Sequence, residues 1–379
     1  MTIRKWGVRA AAAVVALALL TGACSSDKKD GSGGSATTTI PAKPATGTPI
    51  KVGITIWNNP TISLNLRMPG IRAGIQYVNA HGGVNNHPIQ LVYCEAADAN
   101  AGEECSRKMV SEGVLATIND ANYLADLKNL QILGAANITA VDPFINSPET
   151  LAQTNVFMIG LPTPLQYAGT VQYAKLMGYK TLANFAGAMS AAQNSVDAID
   201  VAAKYYGITV KGRVDVPLSA ADYAPYVTAA ADLKADYYPA IIAPFMTDLT
   251  LKAADSMGEP IKIGVSEGQF NSGQYKTFAK GLTGSLLVEC VPPLGAAAEY
   301  PGIQTMLDAI SAYYAETKDP LAAPDKLTSL STRAWAGVMA FWKVASALPE
   351  ADLNAAGVLK GFNTAQKMDP INVLDPWLK

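Results

Sequence analysis

The sequence predicts an α/β protein made of two Rossmann-like lobes, each a parallel sheet covered by helices. Two observations point there. From residue 51 onward, short apolar runs alternate with helical periods, the pattern of right-handed βαβ crossovers in parallel sheets covered on both faces. The stretch from Ile50 to Lys379 is long enough for two domains of ordinary size, and the rhythm resumes near Val156 after four strand signals. A ligand then belongs in the crevice between the lobes, at the carboxyl ends of strands. The rhythm alone leaves a barrel open as an alternative. No period of about 20 to 50 residues repeats, which argues against solenoids and propellers.

At the amino terminus, Arg4, Lys5 and Arg9 precede an apolar run from Ala10 to Leu20, followed by Thr21-Gly22-Ala23-Cys24. That run falls well short of the roughly 20 residues that span a bilayer, so it reads as a secretory signal rather than a permanent membrane helix. The segment resembles the signal of bacterial lipoproteins: residues 1–23 are removed and Cys24 carries the lipid. Leu20 stands one place further from the cysteine than in most such signals. An ordinary cleaved signal is the alternative, and it changes the anchorage but not the compartment. Residues 24–49 are mostly Gly, Ser, Thr, Ala, Pro and Lys, with too little apolar surface to offset the entropy of ordering, and read as a flexible tether.

The first strand covers residues 51–57, rich in β-branched side chains and stopped by Asn58-Asn59-Pro60. Leu66, Ile71, Ile75 and Val78 share one face of a helix that ends at Gly82-Gly83. Residues 89–95 are a second strand, 102–112 a helix and 114–119 a third strand. Asp120 or Asn122 then caps a helix running to about Leu133, and 138–141 is a fourth strand. The second unit reads as strand 156–160, helix 167–177, strand 181–186, helix 194–206 closed by Gly207, and strands 209–214, 237–243, 261–265 and 286–291. Helices over 223–233 and 248–257 separate them, and the chain turns mainly helical after Pro301.

The formal charge of −2 becomes −5 once the signal, with three basic residues and no acid, is removed. Basic residues are scattered rather than grouped in a stripe, so no nucleic-acid partner is expected. Cys94 and Cys105 lie close together in an exported chain and are expected to form a disulfide, which closes a short loop and stabilises by about 3 kcal/mol. A metal pair would need further ligands, and the two histidines, His81 and His87, flank a glycine turn. No metal or other cofactor is expected. Cys290, in the apolar run of residues 285–291, reads as a buried, inert thiol. Gly264-Val265-Ser266-Glu267-Gly268 formally matches the nucleophile elbow of α/β-hydrolases and follows a strand, but both histidines precede the serine in chain order and sit in a turn. With no Walker loop, HExxH or GxGxxG opening a helix, the chain does not read as an enzyme.

The stretch from Ala73 to Leu91, with Asn79-Ala80-His81-Gly82-Gly83-Val84-Asn85-Asn86, resembles the signature of the type I periplasmic binding proteins, the leucine/isoleucine/valine-binding proteins of ABC importers. Its physical content is a tight helix-to-strand turn in which glycines take backbone angles other residues avoid. Asn86 replaces the usual last Gly, and Asn also visits that region. The resemblance extends from Ile50 to Lys379. It implies two lobes joined by a three-stranded hinge, with lobe 1 made of residues 50–162 and 291–365 and lobe 2 of 163–290 and 366–379. It further implies a monomeric receptor, lipid-anchored outside the cytoplasm, that passes a small solute such as an amino acid or amide to a membrane permease. The chain stops near the third crossing, so the family pattern implies continuation beyond Lys379. A sensor or regulator of envelope enzymes with the same fold is the rival role.

In that family, ligands are held by loops at strand ends. Asn119, Asp120 and Asn122 follow the third strand, where relatives that bind amino acids carry small hydroxyl residues. Asp120 reads equally as a helix cap. Asp142, beside Phe144, ends the fourth strand and is a second candidate acid or a turn residue. Glu267 stands where such relatives carry the acid that pairs with the ligand ammonium, the alternative being a solvated loop residue. Met189, Ser190 and Phe245 are candidate walls or partners, and Trp57 is a candidate stacking ring or hinge packing. If Asp120, Asp142 and Glu267 all face the cleft, three carboxylates favour a cationic, amide-like or polyhydroxylated solute.

Overall fold

The computed structural model describes residues 43–59, 63–122, 126–258, 261–278 and 282–365. Cys24, most of the tether and the segment 366–379 assigned to lobe 2 lie outside the described residues. In chain order the first part runs β1 (Ile50–Trp57), α1 (Met68–Ala80), β2 (Ile89–Ala96), α2 (Ala99–Ser111), β3 (Ala116–Ile118), α3 (Asp126–Ala135), β4 (Thr139–Val141), α4 (Pro148–Leu151) and β5 (Val156–Phe157). The second runs α5 (Thr163–Leu176), β6 (Thr181–Gly187), α6 (Gln193–Tyr206), β7 (Thr209–Val216), α7 (Ala224–Asp232), β8 (Tyr238–Ile241), α8 (Pro244–Met257), β9 (Ile263–Val265), α9 (Ser272–Thr277) and β10 (Leu286–Leu287). Three helices follow: α10 (Pro301–Thr317), α11 (Ser329–Ser346) and α12 (Ala355–Thr364).

The strands form two sheets, ordered β2-β1-β3-β4-β5 and β10-β9-β8-β6-β7. The pairings within them are parallel, as the alternation of elements predicts. In each sheet the order reverses next to the strand that starts it, which opens a crevice at the carboxyl edge. β1 is buried from Val52 to Trp57 because both faces of the first sheet are covered. Val52, Ile54 and Ile56 pack with α1, α10 and α11, while Val92, Met109, Leu133 and Ile138 form a smaller cluster with α2 and α3. The second sheet separates two clusters of its own, one around Phe185, Met246 and Ile263 and one around Tyr167, Val171 and Ile199.

The α1–β2 turn matches its predicted mechanism. Gly82, Gly83, Asn85 and Asn86 all have positive φ, with Asn86 at 74°. A side chain at Gly83 would lie 2.2 Å from the His87 carbonyl oxygen. The Cys94–Cys105 disulfide forms, joining β2 to α2.

Several expected boundaries shift. Helix α2 starts earlier because Asp98, not a later residue, caps it by accepting from the Ala101 N–H at 2.9 Å. Helix α8 begins at Pro244, a residue tolerated in the first turn, rather than near 248. The strand expected over 286–291 is ordered as strand only at Leu286–Leu287, because the chain then leaves the second sheet. There the Leu161 N–H donates to Cys290 Sγ at 3.3 Å, tying two chain crossings together. Burial pushes the Cys290 thiol up to about 11, consistent with an inert cysteine. Among the described residues, no helix is long and apolar enough to cross a membrane.

Candidate functional site

A cleft lies between the two sheets, and residues just beyond strand ends line it. Phe144, Ile145 and Asn146 come from the segment after β4; Ile241 to Pro244 from the end of β8; Ser266, Glu267 and Gln269 from the turn after β9. Leu64 and Arg67 enter between β1 and α1, Gln166 and Tyr167 from α5, Ser195 from α6, and Leu330 and Arg333 from α11. The empty space of the cleft, its open mouth included, is about 810 Å3.

Arg333 is its electrostatic centre. Its Nε and Nη2 donate to the two oxygens of Asp142 at 2.5 and 2.8 Å, a bidentate pair, and Nη1 pairs with Glu267 Oε1. Asp142 also accepts from the Ile159 and Gly160 N–H groups and from Asn119 Nδ2, so its carboxylate is fully engaged. Asn119 and Asp142 end β3 and β4 in the left-handed region, with φ of 58° and 52°, a conformation Asn and Asp tolerate better than most residues. Gly160 makes room for the guanidinium, since a Cβ there would lie 2.7 Å from its central carbon. Across the cleft, Gln166 donates to Glu267 Oε1 at 2.9 Å and accepts from the Glu267 N–H. Glu267 Oε2 is buried without a partner.

Arg67 differs from Arg333. It ends a short 3-10 turn, Asn65–Arg67, and occupies the N-cap position of α1, which Pro69 opens within its first turn. It is 5 % exposed, forms no ion pair among the described residues, and its Nε has no hydrogen-bond partner. Burial, then repulsion from Arg333, lowers its pKa to about 10, so it remains a cation at neutral pH. Ser195 also lines the cleft, and its buried Oγ likewise has no partner among the described residues.

The structure separates the candidate residues named from sequence. Glu267 lines the cleft and is buried rather than a solvated loop residue. Asp142 and Asn119 lie behind it, engaged with Arg333 and with each other. Asp120 accepts from the Thr55 N–H at 2.6 Å and, with Asn122, lines a second pocket of about 270 Å3 in the first lobe, while residues 123–125, which lead into α3, lie outside the described residues. Burial raises Asp120 to about 6. Trp57 belongs to the first-lobe core. Ser190 is exposed, Ala191 and Ser195 lining the cleft in its stead, and Phe245 borders an adjoining surface depression. The three carboxylates are thus not gathered as free charges, because Arg333 holds two of them and the third faces another pocket. Ser266 bonds the Tyr167 hydroxyl at 3.3 Å, while His81 and His87 bond the Tyr77 and Thr48 carbonyls, so the GxSxG match has no histidine beside it.

Arg67, Gln166, Ser195 and Arg333 were not singled out from sequence. For Arg333 a signal exists: it is the lone charge in the otherwise apolar and small-residue stretch 329–342, and a charge inside a buried helix needs partners. Arg67 carries no such local mark.

Comparison with known proteins bears on the fold and the family. No curated protein matched the chain in a sequence search. Among solved structures, the chain is similar to an ABC transporter substrate-binding protein from Aeropyrum pernix, with 19% identity, TM-score 0.74, and 86% of this chain and 87% of that one covered. It is also similar to a fatty acid ABC transporter substrate-binding protein from Thermomonospora curvata, with 17% identity, TM-score 0.70, and coverage of 89% and 86%. The branched-chain amino acid transporter substrate-binding protein LivJ from Streptococcus pneumoniae, in complex with isoleucine, gives 14% identity, TM-score 0.70, and coverage of 86% and 91%. At these identities the likeness establishes a shared fold. The profile of the family described as periplasmic binding protein matches residues 67–375, most of both lobes, and the chain belongs to that family.

Proposed function

We propose that the chain is the solute receptor of an ABC importer, held outside the cytoplasm by lipid on Cys24. It captures a small polar solute between its lobes and delivers it to a membrane permease. The supporting observation is the cleft itself. It is walled by residues from both lobes, and three of its lining residues, Arg67, Ser195 and Glu267, each carry a buried polar atom with no partner among the described residues. Buried polar groups are normally satisfied, so unsatisfied atoms on residues that line the cleft support completion by a ligand. Residues 24–49 act as the tether that lets the lobes reach the permease. The similar structures bear names that run from fatty acids to branched-chain amino acids, which supports the receptor role and leaves the solute to the site.

In this reading Glu267 contacts the solute, joined by Arg67 and Ser195. Asn119 and Asp142 position Arg333, and Asp120 and Asn122 stand apart from the solute. A thermal-shift screen of the full chain in mild detergent tests the role, using amino acids, amides, polyamines, sugars and organic acids. A ligand at a hundred times its dissociation constant adds about 2.7 kcal/mol of stability. A folded chain that no member of the panel stabilises would count against the receptor role.

A further inference from the structure

We propose that the solute is a small organic acid with one carboxylate seated on Arg67, an apolar body against the cleft wall, and no ammonium group. This rests on the receptor reading above and narrows it to a ligand class.

The charge inventory of the cleft carries the inference. Its charged lining residues are Arg67, Glu267 and Arg333, with Asp142 directly behind Arg333. Arg333 is shared between Asp142 and Glu267, so those two carboxylates and one guanidinium form a closed set. Arg67 brings the total back to neutral but touches neither acid. Asp142 attracts Arg67 only at a distance and forms no ion pair with it. A cation this deeply buried without a direct ion-pair partner is costly, and an anion arriving beside it converts that cost into a charge-assisted contact that a guanidinium can make bidentate.

A second, independent feature points the same way. Arg67 occupies the N-cap of α1, a helix of 13 residues whose amino end has no side-chain cap, the Met68 N–H being met by the Asn65 carbonyl of the preceding turn. The helix dipole is positive there, so Arg67 and the helix favour the same ligand charge, and a cationic group at that spot would be repelled by both.

The same inventory disfavours an amino acid. Its ammonium would need a carboxylate free to pair with it. Asp142 has none to offer, and the Glu267 charge is already met by Arg333. What Glu267 retains is Oε2, one open acceptor, and Ser195 adds a hydroxyl. Those suit a neutral donor such as a ligand hydroxyl. Leu64, Phe144, Ile145, Leu161, Ile242 and Leu330 supply the apolar wall.

The test uses probes that share a carbon skeleton: 4-methylpentanoate, its 2-hydroxy derivative, leucine and 4-methylpentanamide. A parallel set consists of benzoate, 4-hydroxybenzoate and benzamide. Each is titrated by calorimetry into the full chain in mild detergent and into Arg67→Gln and Arg67→Lys. The expected result is that at least one acid binds, and that its amide and amino counterparts bind about thirtyfold more weakly or worse. Arg67→Gln should then erase the preference for the acid while Arg67→Lys restores part of it, with both variants keeping the melting behaviour of a folded protein.

Tight binding of leucine, or of an amide, in place of the acids overturns the proposal and leaves the receptor role standing. So does an acid whose affinity is the same in a folded Arg67→Gln. If every acid fails while some other solute from the screen binds, the ligand class is wrong. If nothing binds at all, the receptor role falls with it.

Discussion

Two buried arginines in one cleft show how much a partner decides. Arg333 is stabilised by two carboxylates, whereas Arg67 stands at a helix N-terminus with its Nε unbonded. Asp120 makes the same point for an acid. Its carboxyl accepts from the Thr55 N–H, yet burial dominates and raises it from 3.8 to about 6. Because the folded state holds this proton more tightly than the unfolded state, the contribution of Asp120 to stability is greatest below about pH 4. It falls as the pH rises toward 6 and is flat above, a loss of about 3 kcal/mol. Glu289, raised by burial to about 7, pushes in the same direction, so the wild type alone cannot isolate Asp120. Asp120→Asn can keep the acceptor for Thr55 and has no charge to bury. Melting temperatures of the two proteins should therefore diverge between pH 4 and pH 7, with the variant gaining as the pH rises. Parallel profiles would show that Asp120 does not carry this penalty.

At the scale of elements, the crossing of α1 and α11 sets the first lobe. A Cβ on Gly70 would sit 1.9 Å from the Ser331 carbonyl oxygen, and one on Gly74 3.1 Å from Val338 Cβ, so these glycines let the two helices approach. Trp335, fully buried, then packs against Tyr77 with ring centroids 5.3 Å apart. Gly70→Ala must push the helices apart and is expected to cost about 1–3 kcal/mol of stability in urea unfolding, despite the higher helix propensity of alanine. An unchanged midpoint would mean that the crossing yields easily. The long strands and helices were readable because their periodicities are strong, and the α1–β2 turn because its residues accept positive φ. The short α4 and α9 were not read from the sequence. α4 is four residues long and α9 six, too short for a period to show, and capping boxes at Ser147 and Asn271 define them instead.

Across the whole molecule, each lobe has its own core, and polar contacts cross between them. Arg333 reaches from α11 to Glu267, the Gly268 N–H donates to Ser329 Oγ at 3.1 Å, and Asn146 exchanges hydrogen bonds with Ala191 and Asn194 at 2.7 and 2.8 Å. A double-mutant cycle on Arg333→Met and Glu267→Gln should return a coupling of about 1–3 kcal/mol in equilibrium unfolding. Arg333→Met alone should cost about 3–5 kcal/mol, because it strands two buried acids. Zero coupling would mean that the pair does not tie the lobes. The sequence by itself determined the alternating α/β architecture, the family turn and the Cys94–Cys105 bridge, since each depends on neighbours along the chain or on a local motif. The tertiary structure decided which charges meet. Asp142 and Arg333 are 191 residues apart in sequence, and the pairing that turns an expected acidic site into one with an unpaired cation exists only when α11 returns to the first sheet. Electrostatic sign in a cleft is a sum over partners in space, and no local pattern in the chain records that sum.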